Sequence, residues 1–125
     1  MIMRKGIYLI VMSLSFIFGC QAKNGFTSVD AKTFAVEIAK PQVQLVDVRT
    51  AEEYQQGHIP AAVNIDVNSP DFDSRIAELD KERSVALYCR SGRRSKIAAA
   101  RVVELGFKVV ELDGGVLSWQ GELEQ

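Results

Sequence analysis

Cys89-Arg90-Ser91-Gly92-Arg93-Arg94-Ser95 sets a cysteine beside three arginines, two serines and a glycine. A thiolate, not a thiol, is the nucleophile. It needs positive charge or hydrogen-bond donors to exist near neutral pH. Gly92 permits a tight turn that aims backbone amides inward. The helix expected to follow from Ser95 presents free N–H groups to the same loop. From Arg90 to Arg101 the chain carries Arg90, Arg93, Arg94, Lys96 and Arg101 and no acid. A positive cradle around one cysteine, on an otherwise acidic chain, points to a small anionic substrate. The bland alternative is a buried, inert cysteine beside a solvated basic helix face. The catalytic reading therefore requires a sulfur that is ionised and open to solvent. A thiol sealed away would leave only the fold assignment standing.

The elements that must hold this loop alternate between strand and helix. Ser28 is placed to cap a helix running to about Lys40, with Asp30 in its first turn. Phe34, Ile38 and Val29 share a face, and Pro41 ends the helix. Val43 to Val48 reads as a buried strand and Ala51 to Gln56 as a short helix stopped by Gly57. Ala62 to Ile65 is a short strand, Phe72 to Leu79 a helix, and Val85 to Cys89 a second buried strand. Ser95 to Leu105 is the strongest helix, closed by Gly106. Phe107 to Leu112 is another strand, and Gly114-Gly115 forces a turn before a last short helix over Val116 to Gln120. This alternation predicts an α/β fold with a central, mainly parallel sheet and helices on both faces. Ligands of such sheets sit beyond the carboxyl ends of the strands, where Cys89 falls.

The whole chain has 125 residues, 47% hydrophobic and 25% charged, with a net charge of −1. That balance fits one globular domain and excludes a disordered or disulfide-scaffold protein. The charge also argues against a nucleic-acid partner. No metal-ligand cluster is evident and no cofactor is expected. Arg4 and Lys5 precede an uncharged apolar run from Ile7 to Phe18, the layout of a secretory signal. The run is too short for the roughly 20 residues of a spanning helix. Ile17-Phe18-Gly19-Cys20 resembles a bacterial lipoprotein lipobox, with Phe18 departing from the small residue usual before the glycine. The resemblance implies a signal over 1–19, cleavage before Cys20, and lipid on Cys20. The rival is ordinary cleavage after Ala22, which discards Cys20. Residues 20–27 then form a tether and 28–125 the domain. Its location would be the periplasm or cell envelope, held by a lipid anchor, and its expected state is a monomer.

Four separated segments together resemble the rhodanese-like sulfurtransferases, in particular their single-domain, exported thiosulfate sulfurtransferases. They are Leu45-Val46-Asp47-Val48-Arg49 with Glu53-Tyr54; Gly57-His58-Ile59-Pro60-Ala61-Ala62 with Asn64-Ile65; the Cys89 to Ser95 loop; and Leu112-Asp113-Gly114-Gly115 with Trp119. The resemblance implies the rhodanese-like fold and a two-step reaction. Cys89 takes a sulfane sulfur from a small anionic donor such as thiosulfate, then passes it from a persulfide to a nucleophilic acceptor, cyanide or a thiol. Arg90, Ser91, Gly92, Arg93, Arg94 and Ser95 would bind the substrate, with Arg90 and Arg94 favoured as its contacts. Ser95 has a second reading as a helix cap. Asp47, Arg49 and His58 would support the site, chiefly by holding loops. Trp119 reads as a lid on the last helix, and the pair Glu52-Glu53 as solvated charge.

Two other classes compete. A phosphatase or arsenate reductase of the related fold carries Cys, five residues, then Arg. Here Arg94 comes one place early and Ser95 stands at the arginine's position, so the loop is too short to cradle a tetrahedral oxyanion over the thiolate. A non-enzymatic binding module would use the fold as a docking surface, yet such modules often lose the cysteine that this chain keeps.

Overall fold

The computed structural model describes residues 25–125. The expected signal, the expected cleavage site and Cys20 lie outside the described residues. Five strands form one sheet: β1 (Thr27–Val29), β2 (Val43–Asp47), β3 (Val63–Asn64), β4 (Ser84–Tyr88) and β5 (Val109–Leu112). Their order is β1-β5-β4-β2-β3, and every neighbouring pair is parallel. Four helices, α1 (Ala31–Ile38), α2 (Ala51–Gln56), α3 (Phe72–Ala77) and α4 (Arg93–Glu104), cross between strands. A 3-10 turn over Gly115–Ser118 follows β5.

Alternation along the central strands divides the core in two. Val85, Leu87 and Cys89 face one side, where Phe72 and Ile76 of α3 and Ala98, Ala99 and Val102 of α4 cover them. Ala86 and Tyr88 face the other side, against Phe34 of α1, with Tyr54 and Trp119 closing the edge. The alanines of α4 matter here: small side chains let the helix lie close to the sheet and bring its first turn up to the end of β4. The expected α/β layering, with helices on both faces, is what the chain forms.

Several boundaries differ from the expectation. Ser28 caps no helix; it lies in β1, and the cap of α1 is Asp30, whose carboxylate accepts from the Thr33 amide at 2.9 Å. β1 is only three residues long and borders β5, so its pattern is too short to read against the helix that follows. Phe26 is buried, so the fold takes in the last residues of the segment expected as tether. Helix α4 begins at Arg93, two residues early, with Gly92 as its cap at φ +103°. Ser95 is thus inside the first turn and is not a cap.

The turn after β5 locks onto the Cys89 loop. The Val116 amide donates to the Cys89 carbonyl at 2.9 Å and the Leu117 amide to the Arg90 carbonyl at 3.1 Å. Gly115, at φ +63°, sits so close that an added Cβ would lie 2.3 Å from the Arg90 carbonyl oxygen. No side chain fits there without moving backbone. Gly115→Ala should therefore cost about 2–3 kcal/mol, from strain and displacement together. Urea denaturation of the pair checks this; an unchanged midpoint would contradict the close approach.

Candidate active site

The loop from Cys89 to Gly92 turns back over the end of β4 and points its amides at one sulfur. The Gly92 N–H donates to Cys89 Sγ at 3.0 Å. Ser95 Oγ lies 3.4 Å from the same sulfur. Burial pushes the Cys89 thiol up, but hydrogen bonding at Ser95 and from the amides of Gly92 and Ser91 outweighs it, and the thiol is held below its ordinary value. A cysteine buried among apolar groups alone would move the other way. The short strand-to-helix loop thus does what the residue types suggest: it favours the anion.

Access does not follow the expectation. Cys89 is 0 % exposed. The cause is geometric, because the loop closes directly over the strand end and its amides contact the sulfur. Beside it opens a cleft of about 210 Å³ bordered by Arg49, Glu53, Arg90, Val116, Leu117 and Leu123, and Cys89 does not line it. By the condition set from sequence, this burial counts against catalysis. The lowered thiol and the converging amides count for it, since an inert structural cysteine has no use for either. A donor can reach the sulfur only if the side chains or backbone over it yield.

The basic residues divide into free and engaged groups. Arg90 and Arg93 are exposed and form no ion pair among the described residues. Arg94 is engaged by Glu53, donating to both carboxylate oxygens at 2.7 and 2.9 Å. This corrects the reading of Glu53 as solvated charge. Its carboxylate also completes a capping box with Thr50 at the start of α2. Hydrogen bonding to Arg94 holds Glu53 at about 2, against burial that opposes it, with Thr50 helping. Arg94 is raised in turn by Glu53, and the charge of Cys89 adds to that.

Asp47, Arg49 and His58 make contacts that tie neighbouring segments together. Arg49 pairs with Asp47 at 2.7 Å and donates to the Gly57 carbonyl at 2.7 Å, tying the end of β2 to the turn after α2. His58 stacks on Tyr54 with ring centroids 3.7 Å apart, and its Nδ1 lies 2.9 Å from the Tyr54 carbonyl. Trp119 meets Phe34 of α1 edge-on at 6.3 Å.

One residue of the site went unread. Glu111 is fully buried in β5, and Ser95 Oγ and Ser28 Oγ each donate to its carboxylate. Lys96 Nζ lies 3.3 Å from Glu111 and 2.9 Å from Asp113. Burial lowers Lys96, and its two acidic partners more than offset that. The available signal was an acid between Val110 and Leu112, inside a run otherwise fit for a buried strand.

A strand-to-helix loop that donates to one cysteine sulfur at the carboxyl edge of an all-parallel sheet defines the class of this α/β domain. The chain belongs to the Rhodanese-like domain family, whose model matches residues 30–122. It is 37% identical over 93 residues to a protein named sulfurtransferase from Allochromatium vinosum, covering 73% of this chain and 85% of that one. It is 38% identical over 71 residues to the thiosulfate sulfurtransferase PspE of Escherichia coli, covering 57% and 68%. A rhodanese-like domain protein from Staphylococcus aureus superposes with a TM-score of 0.69 at 29% identity, covering 79% of this chain and 97% of that one.

The Glu53–Arg94 pair generates a pH-dependent expectation. A carboxyl group held at about 2 when folded, against an ordinary 4.5, stabilises the fold above pH 4.5. That contribution fades as pH falls toward 2. At neutral pH Glu53→Gln should lose about 1–2 kcal/mol, discounted for partial exposure. The gap between the two proteins should narrow below pH 4.5 in denaturation curves taken across pH. A gap constant from pH 7 to pH 2.5 would contradict the assignment.

Proposed function

We propose that the protein is a sulfurtransferase that carries a sulfane sulfur as a persulfide on Cys89. The observation that supports this most is the set of loop amides converging on a sulfur whose acidity is raised despite burial. The Cys89 thiolate attacks the outer sulfur of thiosulfate. The new S–S bond forms as the bond to the sulfonate sulfur breaks, and sulfite leaves with its electron pair. The terminal sulfur of the persulfide keeps the negative charge, which the same amides and the helix start stabilise. An acceptor such as cyanide then attacks that terminal sulfur, leaves as thiocyanate, and returns the Cys89 thiolate. No proton transfer is needed in either step.

Arg90 and Arg93, which form no ion pair among the described residues, attract the donor and offset the charge of departing sulfite, whereas Arg94, favoured from the sequence as a contact, is held by Glu53. Arg94 contributes through the field it adds near Cys89 while bound to Glu53. Thiosulfate as donor is supported by the likeness to PspE, named for that activity. Export, and a lipid anchor at Cys20, rest on the pattern at the front of the chain. The oxyanion-cradle alternative gains nothing here: Ser95 stands where its arginine would be, and a carboxylate lies behind that serine.

Intact-mass measurement after thiosulfate treatment tests the proposal. The expected result is one added sulfur atom on the native protein, none on Cys89→Ser, and its loss on adding cyanide. No adduct at millimolar donor would sink the transferase reading and favour a binding module with a sealed thiol.

A further inference from the structure

Ser95 cannot serve both of its neighbours. A hydroxyl has one proton and two lone pairs. Ser95 Oγ is buried between Cys89 Sγ, at 3.4 Å, and the Glu111 carboxylate, to which it donates. It therefore turns lone pairs toward the sulfur. In that orientation it accepts from a thiol S–H and repels a thiolate. The hydroxyl lowers the thiol only while its proton faces sulfur, and Glu111 competes for that proton.

Glu111 is held from several elements. Ser28 of β1 donates to its other oxygen, and Lys96 of α4 bridges it to Asp113 beyond β5. Leu87 of β4 is its register partner, and that strand leads to Cys89. Lys96 is partly exposed, whereas the Glu111 side chain is fully buried, so screening weakens the cation more than the anion.

We propose that Glu111 is a positioning residue that holds the Ser95 hydroxyl as an acceptor toward Cys89, so that this hydroxyl favours the thiol and works against the loop amides. The consequence rests on the sulfur-transfer reading above. A less acidic thiol gives a more nucleophilic thiolate and a poorer leaving group. Glu111 then favours capture and retention of the sulfane sulfur over its release.

The test needs no sulfur donor, so its failure is separable from failure of the transferase reading. Thiolate absorbance in the ultraviolet is followed against pH, as the difference from Cys89→Ser, which removes the signals of tyrosines and of Cys20. In Glu111→Gln the Cys89 midpoint should fall by about one unit. In Ser95→Ala, which leaves Glu111 its Ser28 and Lys96 partners, the midpoint should not rise. In a Ser95→Ala background, Glu111→Gln should shift it by less than half as much. A rise on Ser95→Ala would mean the hydroxyl donates to sulfur and would overturn the proposal, even if Glu111→Gln failed to fold. An unmoved midpoint in a folded Glu111→Gln protein would overturn it too, as would an equal shift with and without Ser95.

Discussion

The arrangement depends on a handful of backbone N–H groups aimed at one sulfur. Those amides carry no sequence information of their own, so everything else must fix the path of the loop. The parallel sheet ends β4 at Tyr88, and the small side chains of α4 let the helix close over that end. Gly92 supplies the left-handed turn between them. The turn after β5 clamps the Cys89 and Arg90 carbonyls from outside. Removing any of these moves the donors, and a displaced donor stabilises an anion far less.

Charge is arranged in depth around that loop. Farthest out, Arg90 and Arg93 are exposed and form no ion pair among the described residues. One layer in, Glu53 fixes Arg94 across from α2. Asp47 and Arg49 close a buried pair that pins the neighbouring strand end to the Gly57 turn. Behind the sulfur, Glu111 faces Ser95 and is itself bridged by Lys96. Acid thus sits behind or beside the basic groups and never in the loop, which keeps the cradle positive while fixing its side chains. The cost is access, since the same closure that focuses the amides hides the sulfur.

Much of this was legible in the chain. Val43 to Val48 and Val85 to Cys89 are mostly apolar runs of strand length, and α4 carries strong helix formers ended by Gly106, so the fold follows from local preference. The Cys89 loop reads from its residue types alone. What escaped depends on contacts between distant segments. β1 is three residues long and becomes a strand only by bordering β5. Glu53 looks solvated on α2 because its partner, Arg94, is 41 positions away. Glu111 finds its two serines on different elements, one of them on the unforeseen β1. Burial of Cys89 was unreadable for the same reason: the sequence says that a loop follows the strand, not how tightly it folds back.

Cys89 should titrate below an ordinary thiol and become reactive when the loop yields. Its alkylation by iodoacetamide, measured as a rate across pH with Cys89→Ser as the blank, tests both halves at once. The account predicts a reactive sulfur whose rate levels off below the ordinary thiol range near 8.5. A sulfur that stays inert at every pH, or that titrates at or above that range, would contradict it.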